Sequence, residues 1–287
     1  MAQGVYRATK FGTIRTFLKV GSCSETACSV LDRHFGTPME AEEKATMPLA
    51  GGIIQYGYQC GLLWGAVLAA GAESYRRYGA TTRAEAMAVR AAQHLVALMQ
   101  DRYGEFNCYE LTKTDWRSRS STLRNFMTGG PFRCFSMAAK YATAAVDTVE
   151  TALDDDGEHL EVEAVSCASA LARRMGLSDM HVVMAAGLAG GIGFSGGGCG
   201  ALGAAVWIMA MKTAAENGGK VDYKDARVAG LIDRFMEHTE GSIECEEIVG
   251  RRFAGVVDHA AFLGEGGCAG VLAMLADSAQ PAPVSAG

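Results

Sequence analysis

Proline is scarce in this chain, at five of 287 residues, and strand signals are just as thin. Alanine, leucine, methionine and glutamate dominate, which leaves a helical reading with few enforced breaks. None of the nine cysteines forms a Cys-x-x-Cys pair. That absence removes the thioredoxin-like dithiol motif, the short ligand pair usual in structural zinc sites and the Cys-x-x-Cys-His of covalent haem attachment. A basic excess is also missing: 26 lysines and arginines face 32 acidic residues, for a net charge of −6, which argues against a nucleic-acid binder. No charged segment followed by an apolar run opens the chain, so no secretory leader is expected. Nine cysteines without a leader point to a reducing, cytoplasmic compartment, where thiols more often bind metal or do chemistry than form staples.

Two long uncharged stretches, Met47 to Ala72 and Val182 to Met211, are long enough to span a bilayer. Clustered glycines interrupt both, at Gly51-Gly52 and between Gly190 and Gly198. They read as pairs of buried helices joined at the glycines, with no membrane span.

The cysteines are present in a pattern. Cys28 and Cys60 lie 32 residues apart, as do Cys167 and Cys199, and the two pairs are offset by 139. Cys108 and Cys245 are offset by 137, and Cys134 and Cys268 by 134. Gly51-Gly52 recurs as Gly190-Gly191, and an aromatic, Trp116 or Phe253, follows eight residues after the third cysteine of each set. A period of half the chain means a duplicated domain. Expected units are residues 1–153 and 158–279, joined through the acidic stretch around Asp155, with 280–287 as a disordered tail. Only Cys23 lacks a partner, since Val162 stands 139 positions on, and it reads as a small buried apolar residue.

Helix punctuation gives about five helices per repeat, an all-α fold of two homologous domains packed as an internal pseudo-dimer. The first helix ends at Gly36 or Gly176. The second opens at Thr37-Pro38 or Ser178-Asp179 and runs to the glycine pair. The third starts near Cys60 or Cys199, the fourth at the capping box Thr82-Arg-Ala-Glu85 or near Asp222, and the last near Cys134 or Cys268. Cys60, Cys199, Cys134 and Cys268 therefore sit where glycine-rich turns enter helices, an environment expected to favour thiolates. Gly191-Ile-Gly-Phe-Ser-Gly196 satisfies G-x-G-x-x-G, but without a preceding strand it reads as the turn around Cys199.

With those elements in place, Cys199-Gly-Ala-Leu-Gly-Ala204 and Cys60-Gly-Leu-Leu-Trp-Gly65 resemble the Cys-Gly-Ala-x-x-Gly signature of the C_GCAxxG_C_C family. One earlier and two later cysteines in each half match the rest of that pattern. The resemblance covers nearly the whole chain as two fused copies and implies a helical redox protein with four functional cysteines per copy. Leu62 replaces the signature alanine in the first copy, and Ala204 its last glycine in the second.

The expected site is one iron–sulfur cluster per repeat, held by Cys28, Cys60, Cys108 and Cys134, and by Cys167, Cys199, Cys245 and Cys268. Four cysteines match the ligand count of such clusters, and spacings of 32, 48 and 26 in the first set suit ligands from separate helices of a bundle. The alternative is metal-free dithiol–disulfide chemistry or a thiol sensor. An electron donor or acceptor protein, or a small-molecule substrate, is the expected partner, and a homo-oligomer is compatible with the sequence. Whether the chain is an enzyme stays open at this point. The six histidines do not recur between repeats and read mainly as surface or capping residues, with His34 or His259 as a ligand a remote reading. Glu110 and Glu247 do recur, in a supporting place. Arg117, Arg119 and Arg124 follow the third cysteine of the first copy only. They read as a solvated loop or, more specifically, as a site for an anionic substrate or acidic partner.

Overall fold

A computed structural model describes residues 6–154 and 166–278, so the acidic joint at 155–165 and the tail at 280–287 lie outside the described residues. Among those described, helices account for the regular structure and no strand forms; two isolated antiparallel bridges are the sole β features. The first repeat comprises α1 (Lys10–Val20), α2 (Cys23–Phe35), α3 (Glu40–Ala45) with a short 3-10 turn at Met47–Leu49, α4 (Gly61–Tyr78), α5 (Thr82–Tyr103), α6 (Cys108–Thr112), α7 (Arg119–Met127) and α8 (Gly130–Asp154). The second comprises α9 (Cys167–Arg174), α10 (Asp179–Ala186), α11 (Gly200–Glu216), α12 (Ala226–His238), α13 (Cys245–Val249), α14 (Val256–Gly264) and α15 (Ala269–Ser278). Apart from α1, the elements correspond in order. To the five expected per repeat the structure adds α1 and the short pairs α6/α13 and α7/α14, which hold or flank the third cysteine.

Capping chemistry sets several boundaries. Ser22 and Ser166 accept from the amides of Glu25 and Ser169 at the starts of α2 and α9, and left-handed Gly36 and Gly104 end α2 and α5. The α5 start differs by one residue from the expected box: Thr81, not Thr82, accepts from the Ala84 amide. Glu85 is consequently free of capping and pairs with Arg173 of the second repeat.

One hydrophobic core runs through both repeats. The long helix of each repeat packs against the second helical segment of the other. At Gly71 of α4, a Cβ would stand 2.5 Å from the Met184 Cα of α10. In the reciprocal contact, Trp207 of α11 donates to the Glu42 carbonyl of α3 at 3.1 Å. Glycine is needed at Gly71 because the backbones touch there. The pseudo-symmetry is visible in single bonds. Gln59 donates to the carbonyl of Gly198, its counterpart 139 residues away, at 3.4 Å and to that of Gly191 at 2.9 Å.

Among the described residues no single helix is long and apolar enough to cross a membrane; the pair α14 and α15, bent by 80°, passes on length and composition alone. The two uncharged stretches are interior instead, with α4 and α11 buried over most of their length.

Candidate functional site

Each repeat builds its site from three features. The first is a helix start: Cys23 and Cys167 are the opening residues of α2 and α9, directly after the capping serines. Free amides and the positive end of the helix dipole lie there. The second is a pair of antiparallel hydrogen bonds that sets the second cysteine beside the third. Cys60 donates its amide to Phe106 O at 2.8 Å and Cys108 to Tyr58 O at 2.7 Å; Cys199 to Ile243 O and Cys245 to Gly197 O repeat this, both at 2.7 Å.

The third feature is a stretch of left-handed backbone. Gly51, Gly52, Ile53, Ile54 and Gln55 have φ of 72°, 78°, 57°, 44° and 66°, and Gly190 through Phe194 have φ of 60°, 80°, 67°, 55° and 64°. Left-handed geometry costs roughly 1–2 kcal/mol for each residue other than glycine, so its presence in both repeats marks a place where the fold spends stability. The glycines are required sterically: a Cβ on Gly52 would meet the Tyr58 carbonyl at 2.3 Å, and one on Gly191 the Gly197 carbonyl at 2.4 Å. This turn, not a phosphate loop, contains the G-x-G-x-x-G run. It aims the Gly51 and Gly190 amides at the sulfurs of Cys23 and Cys167.

The structure therefore brings Cys60, Cys108 and Cys134 together with Cys23, and Cys28 is not among them. Cys28 points into the interior of α2's packing, fully buried, with its sulfur 3.5 Å from Asp32 Oδ2. The reason is helical phase. From the first site cysteine to the terminating glycine, α2 takes thirteen residues and α9 only nine, and the segment from that glycine to Gly51 is one residue longer than its counterpart. The added residues shift Cys23 out of the 139 register and bring Cys28 into it by coincidence. In the second repeat Cys167, Cys199, Cys245 and Cys268 lie near one another, since the other three all act on the Cys245 thiol.

Proton affinities separate the cysteines sharply. The Cys23 thiol is pulled below its usual range by a hydrogen bond from Cys60, which outweighs burial, with the amides of Gly51, Ser24 and Cys23 adding to it. Cys167 is also lowered: burial raises it, but His259 and the amides of Gly190 and Ala168 prevail. The other members go up. Cys60 rises through its bond to Cys23 and through burial. Burial pushes Cys108, Cys199 and Cys268 to about 12 and Cys134 to about 11, and it also raises Cys245. The bond to Cys23 at Cys60, and burial at Cys199, Cys134 and Cys268, work against the thiolates expected there. Cys134 also lies inside α8, a turn beyond its start, and Cys268 has a left-handed φ of 58° just ahead of α15. In each repeat the first cysteine is the thiol held below its usual range.

The two sites differ in access. In the first, Cys23, Cys60, Cys108 and Cys134 line an open cavity of about 480 Å³ whose walls are almost wholly apolar, among them Phe17, Trp116 and Phe135. Tyr223 of the second repeat closes one side, its hydroxyl donating to Ala50 O at 3.2 Å. Trp116 presents its buried ring N–H, which has no hydrogen-bond partner among the described residues, to the cavity beside Cys108. In the second, Phe253 replaces Trp116, and His259 of α14 stands where α7 has Thr122. His259 is 2% exposed and bonded to Cys167. Its ring lies 4.7 Å from that of Phe253 and 5.1 Å from that of Phe194. These rings fill the space beside Cys167.

Cys23, without a mate in the repeat and expected in the core, is a site residue, and His259, expected at the surface, is buried against Cys167. The aromatic eight residues after the third cysteine was the one signal pointing toward α14. His34 pairs with Glu150 and His181 with Glu42, away from both sites. Of the three arginines, Arg117 stacks over Tyr56, 4.1 Å from the ring centroid, beside a polar hollow that shares Gln55 with the cavity. Arg119 and Arg124 project from α7 into solvent and line neither space. Glu110 pairs with Lys113, and Glu247 accepts from Ser242.

The donor set can be tested against a metal. Among the described residues no three His, Cys, Asp or Glu side chains converge tightly enough to hold a single ion. In the first repeat Cys23, Cys60, Cys108 and Cys134 line one cavity. Four cysteines match the ligand count of an iron–sulfur cluster, and amides directed at sulfur are of the kind that tune such clusters.

A family model matches this chain twice, over residues 22–148 and 164–280, under the description "Putative redox-active protein (C_GCAxxG_C_C)". Both matched segments run from the start of the first-cysteine helix to the terminal helix. No curated protein and no solved structure matches the chain.

Proposed function

Since the chain belongs to the C_GCAxxG_C_C family through both of its halves, we propose that it is a redox protein with an iron–sulfur cluster in each repeat. Cys23, Cys60, Cys108 and Cys134 would hold the first, and Cys167, Cys199, Cys245 and Cys268 the second. The observation that carries this reading is the convergence of four thiols on one apolar cavity in the first repeat. Such a cluster supplies one-electron chemistry when bound. The residues around it have separable tasks. The Gly51 and Ser24 amides stabilise charge on Cys23, the unpartnered Trp116 ring N–H is available beside Cys108, and the aromatic wall keeps the surroundings apolar. The open cavity gives the first site access to a small substrate or a partner's redox group. The enclosed second site suits storage or relay of electrons.

A specific observation favours a second reading, metal-free dithiol chemistry: Cys60 acts on Cys23 so as to lower its pKa. Cys23 would react as the thiolate, with Cys60 as its thiol partner. Closing a disulfide between them would release two electrons and one proton to an oxidised small molecule in the cavity. One experiment separates the readings: anaerobic purification with iron and acid-labile sulfide analysis and an absorption spectrum. Iron and sulfide in equal amounts, with about half lost on substitution of Cys23 or Cys134, support the cluster. Colourless, iron-free protein in which Cys23 and Cys60 oxidise together assigns the dithiol instead.

A further inference from the structure

Among the described residues, six of the eight exposed large apolar side chains belong to one rim. Phe11 and Leu18 of α1, Leu123, Phe126 and Met127 of α7, and Phe132 in the first turn of α8 are 60–80% exposed. The same helices form the mouth of the first-repeat cavity, through Phe17 and Val20 of α1, Phe126 of α7, and Pro131 and Phe135 of α8. On α1 the outward stripe reads Phe11, Arg15, Leu18, Lys19, and on α7 it reads Arg119, Leu123, Phe126, Met127. Both follow i, i+4, i+7, i+8 spacing, one helical face in each case.

The charge on these segments opposes that of the chain. Residues 6–20 carry Arg7, Lys10, Arg15 and Lys19, and residues 116–140 carry Arg117, Arg119, Arg124, Arg133 and Lys140, with no acidic residue in either. All nine are exposed, and among the described residues none is ion-paired. The remaining 17 of the 26 cations share the rest of the chain with all 32 acids, so the two segments whose helices form this mouth carry cations alone. The second repeat does not copy it. Its α14 has no lysine or arginine, and α1 has no counterpart there.

We propose that this rim docks the protein on an anionic lipid surface, with Phe11, Leu18, Leu123, Met127 and Phe132 entering the headgroup–acyl boundary and the nine cations meeting lipid phosphates. Exposed aromatic and long aliphatic side chains flanked by lysine and arginine are the chemistry of interfacial membrane binding, and each cation near such a surface strengthens it severalfold. An acidic protein partner would be met by the charges alone; the protruding apolar side chains between them favour lipid. Docked this way, the cavity of the first site opens toward the acyl chains.

The test is co-sedimentation of the purified full-length protein with vesicles of phosphatidylcholine alone or mixed with phosphatidylglycerol. The mixed vesicles should carry the protein down and the neutral ones should not, with binding released by high salt. Met127→Ser with Phe132→Ser, and separately Arg119→Glu with Arg124→Glu, should each weaken binding at least tenfold while helicity and thiol content stay at wild-type values. Absence of binding to anionic vesicles, equal binding to neutral ones, or unaffected variants would overturn the proposal. Light scattering on the same samples identifies one competing occupant. A dimer that dissociates in the Met127/Phe132 variant, with no vesicle binding, gives the face to a second copy. Iron and thiol content of the same preparation report on the redox reading independently of the vesicle result.

Discussion

Glu42 and His181 stand 139 residues apart, the period of the duplication, and meet with Oε1 3.0 Å from Nε2. Each occupies the other's equivalent position, so their bond lies on the axis relating the repeats. The His181 ring also packs edge-on against Trp207 at 5.8 Å. Both side chains are less than a fifth exposed, so the pair is screened from water. His181→Ala should lower unfolding stability by about 1–3 kcal/mol, because it leaves the Glu42 carboxylate partly buried and unpaired. Chemical denaturation checks this, and an unchanged midpoint would show that the axis contact is dispensable. The hydrogen bond from His181 holds Glu42 below the usual carboxylate range. Its contribution is present above that range and disappears as pH falls through the folded-state value.

Cys23 and Cys28 should part company under substitution. Cys23→Ser is expected to cost the first-repeat centre, seen as loss of about half the iron if each repeat holds one cluster. Cys28→Ser should leave iron and redox behaviour intact while lowering stability. Equal iron loss from both variants would refute the assignment of the site to Cys23.

Cofactor-free protein should also show one fast thiol. Cys23 is the depressed thiol that lines the open cavity, so it should be alkylated by iodoacetamide first at neutral pH. Removing its donor with Cys60→Ala raises the Cys23 pKa and should slow that reaction. Cys167, shielded by His259 and two phenylalanines, should react late despite its lowered pKa. Peptide mapping after timed alkylation reads the order, and faster labelling of Cys167 would contradict the enclosed second site.

A buried carboxyl group around α2 makes the opposite pH demand from Glu42. Burial and the neighbouring Glu43 lift Glu25 to about 7, and burial lifts Asp32 well above its usual value. Because the folded-state values are raised, stability is fully present below the unfolded carboxyl range and falls as pH rises toward 7. For Glu25 the difference amounts to about 3 kcal/mol. Glu25→Gln should therefore stabilise the protein above neutrality and do little at mildly acidic pH. Denaturation midpoints across that range test the sign, and a variant that destabilises at alkaline pH would reverse it.

Gly52→Ala and Gly191→Ala should be among the most damaging small substitutions. Each Cβ would collide with backbone, Tyr58 or Gly197, which cannot rotate away as a side chain could. The left-handed turns should then open, releasing the Gly51 or Gly190 amide from the first cysteine. Loss of the fast Cys23 alkylation in Gly52→Ala, with overall helicity retained, is the expected result. An unaltered rate would mean that the turn does not tune the thiol.

Much of the fold could be read directly. Gly36, Gly104 and Gly176 mark the helix ends, and the glycine pairs mark the turns before Cys60 and Cys199, because these residues act locally through backbone freedom. Arg117, Arg119 and Arg124 were visible as an asymmetry, but only Arg117 faces a hollow, since its two companions lie on an outward stripe of α7. His259 was hidden because its importance comes from Phe194, Phe253 and Cys167, distant in sequence and absent as a pattern from the first repeat.

By itself the sequence determined the helical class, the duplication and the repeated grouping of cysteines in each half, since local propensity and spacing encode all three. Tertiary structure decided which thiols. Five residues of helix separate Cys23 from Cys28, a rotation of about 140° at 3.6 residues per turn, so one sulfur faces the cavity and the other the interior. It also decided that one site is open and its twin filled. That outcome depends on which side chains α7 and α14 bring to the same place from outside the cysteine pattern.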